Sequence, residues 1–425
     1  MRKNLISIIA QQGIEAIDTF KLITCLRNLL RIPSYLGHED DKADYVSKEL
    51  ERMGVEVQDI ILGPSIKRRE IFGIIRGDGT GKNLLLDAHL DTNWPVEGQE
   101  ETAHKAEVEG DKIKGLGVGD SMCALAAFIG ALDAVKRSGI KLKGNVMFLA
   151  SGDELGQKRG AKILEENLIR ADACIIGETT GDFDIGVTHT GKVEVEITVK
   201  GSMQTLLEGY GEKMGMKPVN AVHRMAKVIN IFDEMVAKDP FFHQKHPRLP
   251  GEGAAFYIGP VIGGNTGYGS PYMKNTNIPG EYGVATPPPI WCKLRCGARY
   301  WPGQTAEEFV EVMKKWVQKV QKAYPGFEAT VDCYLDHGNS TIDTPVNALP
   351  VKVLQNVITY VRGREPQLIG CVFSTHGPFY MRNDIPTVWT APGMLRFGRP
   401  DEYVTIQELV DCCKIYTASI IEICG

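Results

Sequence analysis

One histidine and several carboxylates in the first half of the chain stand in patterns that could hold a metal ion. His89 and Asp91 form an H-x-D at the end of the apolar run NLLLDAH. Alternate residues of a strand point to the same side, so the imidazole could bind metal while the carboxylate orients the ring. A hydrogen-bonded pair at the end of a strand, without metal, is the alternative.

Further carboxylates follow in patterns of their own. Asp120 ends the glycine-rich segment GLGVGD before an apolar helix, where it could bind metal or cap the helix. Asp153 and Glu154 are adjacent in SGDELG, and neighbouring carboxylates repel each other unless a cation or a shared proton intervenes. A solvated loop is the alternative there. Glu178 ends the run ACIIGE, so it could join these residues and His89 in one metal-binding centre.

Neighbouring strands must bring these residues together. Up to about residue 186, helical periodicity alternates with short apolar runs, which is typical of buried parallel strands between helices. Three runs end at His89, Glu154 and Glu178, and ligands collect at the carboxyl ends of parallel strands. We therefore predict an α/β domain with a mixed, mostly parallel sheet flanked by helices, formed by residues 1–186 and 339–425.

Residues 187–338 follow a different pattern. A strand in which apolar and polar residues alternate (192–200) precedes a helix near 220–236, two further strands, a helix and a last strand, FEATVDCYL. The second helix opens with Thr305 and Glu308, a capping-box signature. The order βαββαβ predicts an inserted α+β domain of the ferredoxin-like type, with a long loop between 263 and 289.

The composition is that of an ordinary folded protein, with 43% hydrophobic and 24% charged residues. A net charge of -5 without a long basic run argues against nucleic acid or an anionic membrane as the main partner. No stretch approaches the roughly 20 apolar residues that span a bilayer. Ten cysteines without a CxxC pair favour reduced thiols, so we predict a cytoplasmic protein. Since the charge disfavours nucleic acid and membranes, we predict a small-molecule partner.

The order of the motifs resembles a known family. AHLDTNWP, GLGVGD, DELG and GETT are similar to the GHxDxVP, GxGxxD, EExG and GEPT motifs of the aminoacylase, acetylornithine deacetylase and carboxypeptidase family of co-catalytic zinc hydrolases. The resemblance covers almost the whole chain and implies a zinc exopeptidase-like domain with an inserted lid. It implies that His89 and Glu178 bind one zinc ion, that Asp120 bridges and that Glu154 binds a second. Cobalt or manganese are alternatives to zinc.

The same resemblance gives roles to the neighbouring carboxylates. Asp91 would orient His89, and Asp153 would be the general base in the place of the family's glutamate. Aspartate is shorter by one bond of about 1.5 Å, and a misplacement of about 1 Å can cost on the order of a hundredfold in rate.

Two positions depart from the family pattern. Thr205 stands where the lid histidine is expected, and Gly398 stands where a histidine would bind the second zinc. The second ion would keep only Asp120 and Glu154, so these departures favour a site with one metal ion, although two ions are the alternative. His376, in STHGPFYM, could substitute for the missing oxyanion donor or be a satisfied structural histidine.

We predict a metal-dependent amidohydrolase that cleaves the amide bond of an N-acyl amino acid or a small peptide-like substrate. Arg299 and Arg399 are candidates, with His376, for binding a substrate that carries a carboxylate. The resemblance further implies a homodimer through the lid domain. The alternative is a non-hydrolytic binding or regulatory protein that has kept the fold and lost the chemistry.

Overall fold

The protein forms two compact units. One comprises Met1–His189 and Ile342–Gly425, and the other comprises Thr190–Thr341. The predicted domain boundaries, at 186/187 and 338/339, lie within a few residues of these limits. A computed structural model describes residues 5–61, 69–156, 158–167, 169–202, 213, 215, 219–251, 253–264, 289–324, 326–335, 340–393, 396 and 398–425.

The strands within the described residues are β1 Glu56–Ile61, β2 Arg69–Ile75, β3 Leu84–His89, β4 Val108–Glu109, β5 Lys112–Lys114, β6 Val146–Ser151, β7 Ala173–Ile176, β8 Ile185–His189, β9 Gly191–Lys200, β10 Ala255–Gly264, β11 Trp291–Tyr300, β12 Glu328–Leu335, β13 Ile342–Asp343, β14 Leu368–Cys371, β15 Thr387–Trp389 and β16 Tyr403–Thr405. The α-helices are α1 Ile8–Glu15, α2 Thr19–Arg31, α3 Asp40–Arg52, α4 Cys123–Ser138, α5 Arg159–Glu166, α6 Ala221–Ile229, α7 Phe232–Lys238, α8 Ala306–Ala323, α9 Leu349–Arg362, α10 Gly377–Met381 and α11 Ile406–Cys424.

The first unit is built on a sheet with the order β1-β2-β6-β3-β7-β15-β8-β13, and β14 pairs with β8. The central strands β6, β3, β7 and β15 are parallel, whereas β1 and β2 pair antiparallel at one edge. All residues of β3, β6 and β7 are buried, which is why these segments are almost continuously apolar. The predicted α/β fold with a mixed, mostly parallel sheet is confirmed.

Both faces of this sheet are covered by helices. Leu84 and Leu86 of β3 belong to a large core with buried residues of α4 and α11. Leu85 points to the opposite face and belongs to a smaller core that includes Leu164 of α5 and Phe379 of α10. Successive strand residues alternate between the two cores because side chains alternate across a sheet.

The second unit is a four-stranded antiparallel sheet with the order β10-β11-β9-β12 and helices α6, α7 and α8. Strand and helix order together are those of a ferredoxin-like fold, as predicted. The capping box at Thr305 and Glu308 is present and begins α8. Phe309, Met313 and Trp316 form part of its buried face.

The extent of one predicted helix needs revision. The helix predicted near 220–236 is two helices, α6 and α7, because Asn230 ends the first, and asparagine favours helix ends. Most of the loop predicted between 263 and 289 lies outside the described residues.

The expectation that no stretch approaches membrane-spanning length was too strong. Among the described residues, Val118–Ser138 is long and apolar enough to cross a membrane. Core helices of folded proteins meet the same criterion, and 83% of this segment's most apolar window is buried inside the structure.

A charged residue of α3 lies in the core of the first unit. Lys42 is 1% exposed, and its Nζ donates to the Met122 Sδ at 3.1 Å. Burial lowers the pKa of Lys42 to about 7, although the negative charge of Asp91 opposes this shift. An amine held this way favours the neutral form, so the ammonium form costs folding free energy.

Replacing this lysine should stabilise the protein. Lys42→Met is expected to raise the free energy of unfolding by about 1–4 kcal/mol near pH 6, because it removes a buried charge. The folded-state pKa is lowered from 10.5 to about 7. Wild-type stability should therefore rise as the pH increases from about 7 towards 10.5, a rise that the variant lacks.

Denaturant unfolding of wild type and variant at about pH 6 and about pH 9 measures this difference. Lys48→Met changes an exposed lysine of the same helix and should leave both stability and its pH dependence unchanged. A Lys42→Met protein that is less stable than wild type at both pH values would contradict the prediction.

Candidate metal centre

The strand order places the predicted ligands at one edge of the first sheet. His89 is the last residue of β3, Glu154 follows β6 and Glu178 follows β7. These three strands are adjacent and parallel, so their carboxyl ends meet at the same edge. The fourth residue, Asp120, arrives from the turn Val118–Met122 that precedes α4.

The four side chains converge. The Nε2 of His89 lies 3.1 Å from the Oδ1 of Asp120 and 3.5 Å from the Oε1 of Glu178. His89, Glu154 and Glu178 each offer one ligand atom, and these atoms lie within 4.8 Å of one another. All three residues are buried, and Asp120 is partly buried.

Asp91 holds two parts of the cluster in place. The Nδ1 of His89 donates to the main-chain oxygen of Asp91 at 2.8 Å, which leaves the Nε2 directed at the other ligands. The Asp91 carboxylate accepts the N–H groups of Glu154 at 3.2 Å and Leu155 at 2.9 Å. Burial alone would raise the pKa of Asp91. The hydrogen bond between the side chains of His89 and Asp91 and the charge of the His89 ring outweigh burial, so the pKa of Asp91 is lowered. The predicted orienting residue therefore contacts both the histidine and the turn that carries Glu154.

The turn that carries Asp120 is held by Glu402, which sequence reasoning did not assign to the site. The Glu402 carboxylate accepts the N–H of Gly119 at 2.9 Å and that of Gly117 at 3.3 Å. Burial raises the pKa of Glu402 to about 7, although these two bonds oppose the shift and the charge of Asp120 adds to it. The acidic pair Asp401 and Glu402, close after Gly398 in the segment GRPDEYV, was the sequence signal that could have identified Glu402.

The electrostatics of the cluster favour a cation. Burial and the charge of Asp120 together raise the pKa of Glu178 to about 8, although the charge of His89 opposes the shift. Burial lowers the pKa of His89, but hydrogen bonds to Asp120 and Asp91 raise it well above its usual value. One imidazole nitrogen with several carboxylate oxygens is a donor set that suits zinc, cobalt or manganese. The residues present therefore fit a divalent metal.

Asp153 and Lys158 complete the turn after β6. Asp153 is buried, has a φ of 65° and places its Oδ2 3.5 Å from the Nε of Arg159. The Nζ of Lys158, a residue that sequence reasoning missed, forms an ion pair with the Oε1 of Glu154. A lysine four residues beyond an acidic pair gives no sequence signal of burial, so only the structure reveals this contact.

His376 is held by a buried network beside the sheet. Its Nδ1 lies 2.7 Å from the Oδ2 of Asp87, and the hydroxyl of Tyr380 donates to the same oxygen at 2.8 Å. The hydroxyl of Ser151 donates to the other oxygen of Asp87 at 3.1 Å. Among the described residues, the buried Nε2 of His376 has no hydrogen-bond partner. One ring nitrogen thus has a structural role, and the predicted substrate contact would use the other.

Arg399, Arg299 and Thr205 are the other positions that the sequence singled out. Arg399 is exposed, next to Gly398, whose φ of 71° suits glycine. Arg299 belongs to β11 of the second unit, opposite Lys192 in the sheet. Thr205 lies outside the described residues. The substrate roles of the two arginines therefore remain predictions.

Comparison with known proteins places this geometry in a family. The model of peptidase family M20/M25/M40 matches residues 85–422, and the chain belongs to this family. The class is that of hydrolases that cleave peptide or related amide bonds, as the resemblance predicted.

Individual relatives agree with this placement. The chain is 24% identical, over 95% of its length and 94% of the relative's, to the N-formyl-4-amino-5-aminomethyl-2-methylpyrimidine deformylase of Halalkalibacterium halodurans. An aminopeptidase from Bacillus cereus ATCC 10987 superposes with a TM-score of 0.74 at 20% identity, over 96% of this chain and 99% of that chain. A dinuclear metal-binding peptidase of the M20 family from Bacillus subtilis superposes with a TM-score of 0.64 at 16% identity, over 95% and 98%. The structural neighbours establish the fold.

The contacts of Glu402 predict an effect on metal affinity. Glu402→Ala removes the acceptor that holds Gly117 and Gly119, so Asp120 should lose its fixed position. Loss of such a supporting group typically costs 10–100-fold in metal affinity, and we expect a decrease of about this size. Competition for zinc with a chromophoric chelator measures it.

Two variants provide controls. Glu402→Gln retains one carbonyl acceptor and should show a smaller loss, and Asp401→Ala changes an exposed neighbour and should show none. A folded Glu402→Ala protein with wild-type zinc affinity would be incompatible with the supporting role.

Proposed function

We propose that this chain is a metal-dependent amidohydrolase that cleaves the amide bond of an N-acylated amino acid or a small peptide-like molecule. The observation that carries the proposal is the convergence of carboxylate oxygens of Asp120 and Glu178 on the Nε2 of His89. Family membership supports amide hydrolysis. The full-length similarity to a deformylase supports an N-acyl bond as the target.

Zinc is the proposed ion, with cobalt and manganese as alternatives. His89, Asp120 and Glu178 would hold it, since the Oδ1 of Asp120 and the Oε1 of Glu178 lie within 3.5 Å of the Nε2 of His89. A bound divalent ion polarises the substrate carbonyl and lowers the pKa of a bound water to about 7.

Asp153 is the proposed general base. It takes a proton from the attacking water and returns it to the leaving nitrogen, while the C–O bond forms and the C–N bond breaks. The products are a carboxylic acid and an amine. Arg159 restrains the direction of the Asp153 carboxylate through the contact between its Nε and the Oδ2.

The proposal includes a substrate carboxylate, which Arg299, Arg399 or the Nε2 of His376 would bind. Guanidinium groups suit this role because they bind carboxylates through two parallel hydrogen bonds.

A homodimer through the second unit is part of the same proposal. β10 is an edge strand of that unit's sheet and exposes Ile258, Val261 and Ile262, a combination that favours pairing with another chain. The proposed location is the cytoplasm, since none of the ten cysteines forms a disulfide.

Metal dependence is tested with His89→Ala. Zinc-loaded wild type should hydrolyse members of a panel of N-formyl, N-acetyl and N-succinyl amino acids and dipeptides, and a chelator should abolish this activity. His89→Ala removes the imidazole of the cluster and should lose both bound zinc and turnover. His243→Ala changes an exposed histidine of the second unit and should lose neither. If wild type is inactive with every metal tried, the non-hydrolytic binding protein becomes the better interpretation.

The general base is tested separately. Asp153→Asn should lower kcat by about 10²–10⁴-fold, the usual contribution of a positioned base, and leave the zinc content unchanged. Asp111→Asn, at an exposed turn between β4 and β5, is the matched control. Steady-state kinetics with the best substrate of the panel give both values. Wild-type turnover by Asp153→Asn would assign the base elsewhere.

A further inference from the structure

Lys158 places a buried ammonium group inside the proposed metal centre. The residue is 4% exposed and lies directly before α5, with a φ of 52°. Its main-chain N–H donates to the main-chain oxygen of Asp153 at 2.8 Å. The backbone is thus fixed at the turn, and the side chain is directed inward.

The ammonium lies between oxygen acceptors. Its Nζ forms an ion pair with the Oε1 of Glu154 and lies 3.4 Å from the carbonyl oxygen of Ser374. Glu154 belongs with His89 and Glu178 to the group whose ligand atoms lie within 4.8 Å of one another. The Lys158 ammonium is therefore paired with Glu154, one of the carboxylates that a second metal ion would need.

A buried lysine is costly unless a counter-charge compensates for its lost hydration. Glu154 has the same requirement with the opposite sign. Lys158 and Glu154 therefore compensate each other's buried charge. A divalent ion that binds Glu154 would repel the ammonium and would have to displace it.

The departure from the family pattern at Gly398 also concerns the second metal ion. Gly398, in the position where the family resemblance places a histidine ligand of the second metal, has no side chain. Among the described residues, a Cβ built at Gly398 would meet no atom within 4 Å, and the φ of 71° at this position suits glycine. A lost ligand and an added positive charge both oppose binding of a second metal.

We propose that the Lys158 ammonium takes the place of the second metal ion, so that the centre holds one divalent ion on His89, Asp120 and Glu178. This inference rests on the proposed function, because it presupposes that one metal binds. Lys158 supplies a single fixed positive charge where a second divalent ion would supply two.

The competing interpretation is an ordinary salt bridge that stabilises the fold. Both interpretations predict that Lys158→Gln lowers the melting temperature of the metal-free protein, because Glu154 loses its partner. They differ in the effect of zinc. If the ammonium occupies a cation position, the variant should bind a second zinc ion, and zinc should restore the melting temperature.

The experiment counts zinc. Full-length protein is stripped with a chelator, titrated with zinc and analysed by calorimetry and elemental analysis. Wild type should bind one equivalent of zinc tightly. Its affinity for a second zinc ion should be at least tenfold lower than the affinity of Lys158→Gln for a second ion. Lys158→Arg keeps the charge and should bind one. Lys162→Gln changes an exposed lysine of α5 that pairs with Glu166 and should behave as wild type.

The outcomes separate the two proposals. Two tight zinc ions in wild type would overturn the role of Lys158 and leave the proposed function standing. No zinc in wild type would overturn both. One equivalent in Lys158→Gln, with a loss of melting temperature that zinc does not restore, would identify a salt bridge and overturn the inference. If Lys158→Gln does not fold, a second tight zinc ion in Lys158→Arg has the same consequence.

Discussion

Concentrated negative charge at the carboxyl ends of β6, β3 and β7 is the constraint on which the rest of the structure depends. Parallel strands bring their ends to one edge, and here each of the three ends is followed or closed by a residue that can bind a cation. Carboxylates in a buried environment repel one another and lose hydration, so each must be neutralised in some way. The arrangement is stable only because the surroundings provide several different solutions.

The solutions differ from one carboxylate to the next. Asp87 is stabilised by His376 and by the hydroxyls of Tyr380 and Ser151, and its pKa is lowered although burial alone would raise it. Burial and the charges of Asp87 and Asp153 raise the pKa of Glu70 of β2 well above its usual value, which favours the uncharged form of that carboxyl. Glu154 pairs with Lys158. The carboxylates around His89 remain, and a divalent metal is the cation that suits them.

Rigid support of the ligands is the second general feature. Asp91 contacts the His89 ring and the turn that carries Glu154, while Glu402 holds the turn that carries Asp120. Both supports are buried carboxylates that accept main-chain N–H groups, so they position backbone as well as side chains. Such groups fix ligand geometry before a metal binds, which is how a protein avoids a loose centre.

The sequence alone determined the α/β fold, the βαββαβ insertion and the residues that meet at the centre. Apolar runs that end in polar residues are a local signal, and strand periodicity depends on neighbouring residues only. The capping box at Thr305 is local in the same way. Only the tertiary structure revealed that Lys42 is buried, that Lys158 pairs with Glu154 and that Glu402 holds Gly117 and Gly119. Those facts depend on groups that are distant along the chain, or on the burial of a residue type that is usually exposed, and neither is encoded in a short sequence pattern.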